Sequence, residues 1–191
     1  RGIRMIRGND NLRRLGKGRA LNRAAFSLAF PFVVPYALKM LRMPEAAVGL
    51  LLSAKMLTYS LSNFLWTYIS ERWGNRAVAI TSSVTLLMVP VLTMGASYLP
   101  NTQLISVAGT GVSAQLLAII TVAVLIGASL SGSAVGYNAF LMDILPDRKR
   151  STFLGFYYLL ILPTCIVPII AAVIVGEDNF VYTMLLALTV G

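Results

Sequence analysis

Long stretches without a charged side chain dominate the pattern of hydrophobic and polar positions along this chain. Residues 77–142 contain no Asp, Glu, Lys or Arg, and neither do residues 151–176. A helix crosses the hydrocarbon core of a bilayer with about 20 residues. The first stretch is therefore long enough for two crossings and the second for one. This pattern predicts an all-α, polytopic membrane protein.

Six transmembrane helices account for the pattern over the whole sequence. Pro31 and Pro35 predict a kinked first crossing, and Pro44 with Glu45 predicts the start of the second. Residues 97–115, which include a Pro-Asn pair, are typical of a loop. The sixth crossing stops at the last residue, so we expect a fragment of a longer protein. The expected crossings are about residues 20–42, 46–70, 77–97, 115–142, 152–175 and 179–191.

The net charge of +9 indicates a membrane anchor rather than a nucleic-acid-binding surface. Eight of the sixteen basic residues lie in the first 23 positions. There they can hold residues 1–19, a basic linker, at the anionic cytoplasmic surface of a membrane. Arg19 and Arg23 stand at the start of the first crossing, and we expect both side chains to extend back toward that surface.

The distribution of Lys and Arg also predicts the orientation of the crossings. With the N-terminal segment in the cytoplasm, thirteen basic side chains fall on the cytoplasmic side, and Lys39 and Arg42 fall on the other. Such a positive-inside asymmetry sets the topology of multi-pass proteins. The N-terminal segment and the loops 71–76 and 143–151 are therefore predicted to be cytoplasmic, in a plasma membrane of the bacterial type.

The predicted loop between the second and third crossings contains a recognisable signature. The stretch "TYISERWGNR", residues 67–76, resembles motif A of the major facilitator superfamily, G-x-x-x-D-R-x-G-R-R. Thr67 replaces the first glycine of that motif, and Asn75 replaces a basic residue. The positions that fit are Glu71 in place of Asp, Arg72, Gly74 and Arg76.

Two further stretches strengthen this resemblance. Residues 136–163 are similar to the fourth-to-fifth loop of one half of such a permease, with Asp143, Pro146, Arg150 and Gly155 at the expected places. Residues 13–38 resemble the linker and seventh crossing that begin the second half. The resemblance implies helices 7–12 of a twelve-helix permease, with the first half as the alternative. It also implies a cytoplasmic gating motif made of Glu71, Arg72, Gly74, Arg76, Asp143, Asp147 and Arg150.

What the resemblance implies is secondary active or facilitative transport of a small solute by alternating access. The expected partners are that solute, the lipid bilayer and the other six-helix half of the same polypeptide. The alternative is a non-transporting six-helix scaffold or assembly subunit. Enzyme activity is not expected because the chain has no histidine and cannot build a Ser–His pair. We expect no catalytic residue, no metal site and no cofactor.

A solute cavity in this half requires polar groups in the middle of a crossing. Lys55 lies about ten residues past Glu45, or roughly 15 Å into the membrane at 1.5 Å per residue, and a charge that deep should face a cavity or a partner. The alternative is a lysine that reaches the outer interface. Tyr59 and Ser62 follow on the same helix face.

Tyr36 and Asn138 are the remaining cavity candidates. Tyr36 lies between the two prolines of the first crossing and can instead be an interfacial aromatic. Asn138 lies in the fourth crossing and can instead bond a neighbouring helix. Small side chains on that crossing predict close helix packing rather than binding; they are Gly127, Ser131, Gly132, Val135 and Gly136.

Overall fold

The computed structural model describes residues 10–100, 103–107, 110–145, 150–175 and 185–189. Helices dominate these ranges, as the long apolar stretches predict. A short antiparallel hairpin interrupts them between the third and fourth long helices. In chain order the elements are α1 (Asp10–Lys39), α2 (Ala46–Trp73), α3 (Asn75–Ala96), β1 (Gln103–Val107), β2 (Thr110–Ser113), α4 (Ala114–Ile144), α5 (Arg150–Ile161), a 3-10 turn (Leu162–Ile166) and α6 (Val167–Val175).

Three of the described stretches are long and apolar enough to cross a membrane: Arg14–Lys39, Ala46–Tyr98 and Ala114–Ile144. The second contains both α2 and α3, which meet at Gly74. These stretches correspond to the first four predicted crossings. Each of α2 and α3 has more than the roughly 20 residues that a crossing needs.

The fifth predicted crossing is not one continuous α-helix. Helix α5 ends at Ile161 and a 3-10 turn leads into α6. Pro163 lies inside the turn and Pro168 lies one residue into α6, and a proline cannot donate the backbone hydrogen bond that an α-helix needs. The apolar helical part here, Tyr157–Ile170, is shorter than a full crossing. The sixth predicted crossing lies largely outside the described residues.

The loop predicted over residues 97–115 contains a β-hairpin that was not expected, although the predicted helical class holds for the long elements around it. Gln103 lies opposite Ser113, and Val107 lies opposite Thr110. Alternating β-branched residues favour extended pairing over an irregular loop. Ser113 then caps α4, because its hydroxyl accepts a hydrogen bond from the backbone N–H of Leu116 at 3.2 Å.

Helix α4 lies between α2 and α3 and packs closely on both. A Cβ atom on Gly136 would lie 2.6 Å from the backbone nitrogen of Ala79, and one on Gly127 would overlap the carbonyl oxygen of Lys55. The predicted small-residue packing face is therefore confirmed. The Trp66 indole N–H adds a bond to the Ala128 carbonyl at 2.8 Å.

These contacts also give the directions of the helices. Gly127 lies against residues 55–59 of α2 and Gly132 lies against Trp66, so α2 runs parallel to α4. Gly132 also lies against Ser82, and Gly136 against Ala79, so α3 runs the opposite way. Helix α1 is likewise antiparallel to α4, because its N-terminal part bonds Ser133 while Tyr36 packs near Ile119.

The alternating directions define two ends of the bundle. The end that contains Gly74, with the start of α1 and the end of α4, is called the hinge end. The end that contains the β-hairpin, with the end of α1 and the start of α2, is called the hairpin end. Buried aliphatic side chains of α1, α3 and α4 fill the space between the two ends, among them Leu28, Leu86, Val89, Val122 and Ile126.

We expect Gly127→Ala and Gly136→Ala each to reduce the free energy of unfolding by about 1–3 kcal/mol, the usual cost of overfilling a packed interface. The added methyl group meets backbone atoms of α2 or α3, which cannot move aside as a flexible side chain can. The measurement is the thermal unfolding of the purified protein in detergent, followed by tryptophan fluorescence.

Gly49→Ala is the matched control for these variants. Gly49 lies in α2, and no heavy atom lies within 4 Å of a Cβ built on it. The midpoint of thermal unfolding of Gly49→Ala should stay close to that of the parent protein. Equal midpoints in all three variants would contradict the role of the small residues in packing.

Candidate functional site

The turn between α2 and α3 depends on a glycine conformation. Gly74 has φ +81° and ψ 164°, a backbone geometry that an L-residue with a side chain rarely adopts. Its N–H donates to the Ser70 carbonyl at 2.9 Å, and its own carbonyl accepts from Ala77 N–H at 3.1 Å. The glycine at this motif position thus has the positive φ that a tight turn between two helices needs, and α3 starts at the next residue.

Asn75 connects this turn to the end of α4. Its amide nitrogen donates to Asp143 Oδ2 at 2.7 Å, and its amide oxygen accepts from the Ser70 hydroxyl. A hydrogen bond to a carboxylate is stronger than one between neutral groups. Sequence reasoning treated Asn75 only as a departure from the motif and missed this role. The name "hinge contact" is used below for Ser70, Asn75 and Asp143.

The other gating candidates are not drawn into this contact. Arg72 turns back along α2, where Nη1 donates to the Tyr68 hydroxyl at 2.6 Å. Glu71 and Arg76 are exposed at the hinge end. Asp147 lies outside the described residues, and Arg150 starts α5 with a side chain that is also outside them. Among the predicted gating residues whose side chains the structure describes, Asp143 is the one in the hinge contact, through its bond to the neighbour of Gly74.

A chain of buried polar side chains links α1, α3 and α4 deeper in the bundle. Asn22 of α1 donates from Nδ2 to Ser83 Oγ at 2.9 Å, and that hydroxyl lies 3.1 Å from the Tyr137 hydroxyl. Ser133 Oγ donates to Asn22 Oδ1 at a longer 3.4 Å. Polar groups inside a membrane bundle need such partners because lipid offers none.

Arg19 belongs to the same group of residues. Its Nη1 donates to the Ser133 carbonyl oxygen at 2.7 Å, and its guanidinium carbon lies 4.7 Å from the centre of the Tyr137 ring. Ser133 is 11 residues before the end of α4 at Ile144, or about 16 Å from that end at 1.5 Å per residue. The prediction that Arg19 extends to the membrane surface is therefore wrong. A backbone carbonyl and an aromatic face attract it into the bundle instead.

A cavity of about 280 Å³ with a mixed polar and apolar lining opens beside Arg19 and is called the arginine cleft. It lies between helices α1 to α4 and the 3-10 turn. The residues that line it and matter below are Arg19, Asn22, Arg23, Tyr59, Ser133 and Cys165. A second cavity, of about 450 Å³, lies toward the hinge end; Asn22 lines both, and Arg14 and Arg76 line the second.

The polar stripe predicted on α2 reaches the arginine cleft through one residue. Tyr59 lines the cleft. Ser62 is buried, and its hydroxyl donates to the Tyr59 carbonyl oxygen at 3.4 Å. Lys55 is half-buried, with Nζ 4.6 Å from the centre of the Phe30 ring of α1. The Lys55 ammonium therefore meets protein, as expected for a charge deep in a crossing.

The two weaker cavity candidates lie elsewhere. Tyr36 is buried in an apolar cluster near the hairpin end, with Ala96, Ile119 and Ala123 among its neighbours. It is neither at an interface nor in the arginine cleft, because the register of α1 against α4 places it in the core. Asn138 is exposed on α4. The cleft instead uses Arg19 and Asn22 of α1 together with Ser133 of α4. Ser133 lies more than 100 positions from the other two, so the sequence gave no local signal of the group.

Comparison with known protein families gives one match. The model of the Major Facilitator Superfamily matches residues 18–191. This range includes the turn at Gly74, the hinge contact and every residue named for the arginine cleft. No curated protein and no solved structure matches the chain.

We expect Asn75→Leu to loosen the hinge end. The variant keeps the approximate size of the side chain but loses both hydrogen bonds, of which the one to Asp143 is of the stronger, charged class at about 1.5–3 kcal/mol. Backbone amides of residues 74–78 should exchange with deuterium about tenfold faster or more, which corresponds to that free energy. The measurement is hydrogen exchange followed by mass spectrometry.

Glu71→Gln is the control for the Asn75 variant. Glu71 lies in the same turn but is exposed, and its replacement removes a charge without touching the Asn75 amide. Its exchange rates should match those of the parent. If both variants exchange at the parent's rate, Asn75 does not hold the hinge end together.

Proposed function

Because this chain belongs to the Major Facilitator Superfamily, whose members are membrane transporters, we propose that it carries a small solute across the membrane by alternating access. Transport is secondary active or facilitative. The chain forms helices 7–12 and works against a second six-helix half of the same polypeptide. The observation that supports this most directly is the arginine cleft, since a transporter requires a polar cavity at mid-depth.

The hinge contact acts in this proposal as a latch. Asn75 and Asp143 join the turn between α2 and α3 to the end of α4, which keeps the hinge end closed. That end opens when α4 moves against the turn, and this movement breaks the contact. The gating candidates Glu71, Arg72, Arg76, Asp147 and Arg150 then meet groups of the other half in one of the two states.

The hinge end faces the cytoplasm in the proposed orientation. The helix directions place Arg14, Lys17 and the turn at Gly74 at this same end, together with Arg72 and Arg76. Lys39, Arg42 and Glu45 lie at the hairpin end. Basic residues concentrate on the cytoplasmic side of multi-pass proteins, which supports this orientation. The proposed membrane is a plasma membrane of the bacterial type.

The competing function is a scaffold subunit that transports nothing. Such a protein has no need for a mid-depth polar cavity, and any buried polar groups serve only to hold its helices together. The network of Asn22, Ser83 and Tyr137 can do that in either case. The arginine cleft, at about 280 Å³, is what favours transport. Access of water to this cleft therefore separates the two functions.

We expect a cysteine at position 59 to react with a membrane-impermeant maleimide, from a side that changes with the state of the transporter. Tyr59 lines the cleft, so Tyr59→Cys, with Cys165 replaced by serine, reports entry of water. The measurement is labelling of the full-length protein in liposomes, with reagent added inside or outside. A transported solute should alter the ratio of the two labelling rates.

Leu61→Cys in the same background is the matched control. Leu61 lies on the same helix, half a turn away, and is 66% exposed on an apolar face, where lipid excludes the reagent. It should stay unlabelled from both sides. If cysteines at positions 59 and 61 both stay unlabelled, with or without solutes, the result would support the non-transporting scaffold subunit instead.

We expect Glu71→Gln to slow transport without preventing membrane insertion. The latch proposal gives this exposed carboxylate a partner in the other half, and the amide cannot form the charged contact. The transport rate is measured as the exchange across the liposome membrane of a solute that alters the labelling of position 59. Glu45→Gln is the control, because Glu45 is an exposed acid at the hairpin end with no side-chain capping bond. An unchanged rate for Glu71→Gln would exclude that residue from the latch.

A further inference from the structure

We propose that the arginine cleft selects solutes that carry a negative charge, and that Arg19 and Arg23 hold the carboxylate or phosphate group of such a solute. This inference rests on the proposed transport function and narrows it to a substrate class. It comes from the charge balance of the cleft, from the shape of its donors and from its size.

The charge balance of the cleft is positive. Arg19 and Arg23 line it, and among the described residues that line it none is acidic. The sequence has seven acidic residues, and none lies within residues 11–44, 46–70 or 72–142. Helices α1 to α4 therefore bring no carboxylate to mid-depth. Cations held that deep in a membrane protein are costly without a counter-charge, and an anionic solute supplies one.

The donors of the cleft suit a planar or tetrahedral oxyanion. The Ser133 carbonyl and the Tyr137 ring hold the Arg19 guanidinium in place. A guanidinium has five N–H donors in a fixed plane and accepts no hydrogen bond, and its fork matches carboxylate and phosphate oxygens. Arg23 follows one turn later on α1. The cleft thus combines one fixed and one exposed cation on the same helix.

The size of the cleft limits the solute. Its volume of about 280 Å³ is just below the usual range of ligand pockets, which is about 300 to 1,000 Å³. It suits a small organic acid or a phosphate compound with few heavy atoms. An anionic lipid headgroup offers the same chemistry from a second source. We assign the cleft to a free solute, because Asn22, Tyr59 and Ser133 line it as further polar groups.

The native cysteine supplies the experiment. Cys165 is the one cysteine of the sequence, is exposed and lines the cleft with both arginines. The full-length protein, with any cysteine outside residues 1–191 replaced, is reconstituted in phosphatidylcholine liposomes. Its reaction rates are measured with a methanethiosulfonate that carries a sulfonate and with one that carries a quaternary ammonium. Each rate is divided by the rate of the same reagent with a small free thiol.

We expect the anionic reagent to react about tenfold faster or more, because a cleft lined by one sign of charge concentrates the opposite ion by that order. The ratio of the two normalised rates, anionic over cationic reagent, should fall toward 1 in the double variant that carries both Arg19→Gln and Arg23→Gln. Arg42→Gln, which removes an exposed arginine at the hairpin end, should leave it unchanged. Arg23→Gln alone should lower the ratio in part, which keeps the test decisive if the Arg19 variant does not fold.

Protection of Cys165 distinguishes the two sources of the anion. Sodium acetate and sodium phosphate are the free probes, choline chloride is the cationic control, and phosphatidylglycerol added to the liposomes is the lipid probe. Slower labelling with acetate or phosphate supports a free anionic solute. Slower labelling with phosphatidylglycerol alone overturns the assignment to a solute. Equal normalised rates of the two reagents overturn the proposal itself, and they leave the labelling of position 59 as a separate test of transport.

Discussion

The close backbone contact of α4 with α2 and α3 is the constraint on which the rest of the structure depends. Lipid is as apolar as a leucine side chain, so burial of apolar surface contributes little to helix association in a membrane. Dispersion contacts and interhelical hydrogen bonds must hold the helices together instead, and both require short distances between helices. Gly127, Gly132 and Gly136 permit those distances, because a Cβ at any of them would overlap a neighbouring helix. The register that they impose between α4 and α3 places Asp143 opposite Asn75.

Local features of the sequence were enough to predict much of this fold. The charge-free stretch over residues 77–142 predicted the third and fourth crossings, and the apolar runs before it predicted the first two. Both inferences work because the thickness of the bilayer sets the length of an apolar helix. Gly74 could be predicted because a tight turn between two helices needs a positive φ. The break after Ile161 could also have been foreseen, since two prolines lie close together there. The β-hairpin was missed, because its alternating β-branched residues form only two short runs between turn-forming residues, which were interpreted as a loop.

The site was less predictable because its contacts join distant parts of the chain. Arg19 and Ser133 are 114 positions apart, and Asn75 and Asp143 are 68 apart. Charge alone suggested that Arg19 reaches the surface and that Lys55 marks the cavity. In the structure the Arg19 guanidinium meets a backbone carbonyl and an aromatic face inside the bundle. The Lys55 ammonium lies 4.6 Å from the centre of the Phe30 ring. Asn75 shows the same limit of motif comparison, since it departs from the expected basic residue yet makes the contact that joins two helices.

Helix α4 connects the hinge contact to the arginine cleft, and this connection has a thermodynamic consequence. Asp143, Tyr137 and Ser133 occupy one helix and contact the turn, the polar network and Arg19 in succession. A helix with continuous backbone hydrogen bonds shifts as a unit, so a displacement at one end reaches the other. If an anion in the cleft draws Arg19 from Ser133, the position of α4 that favours the hinge contact changes too. Linkage then requires the reverse: release of Asn75 from Asp143 must alter the affinity of the cleft by the same factor. Under the proposed function, the amide–carboxylate contact at the hinge end gates in this way a cavity about 15 Å away along the same helix.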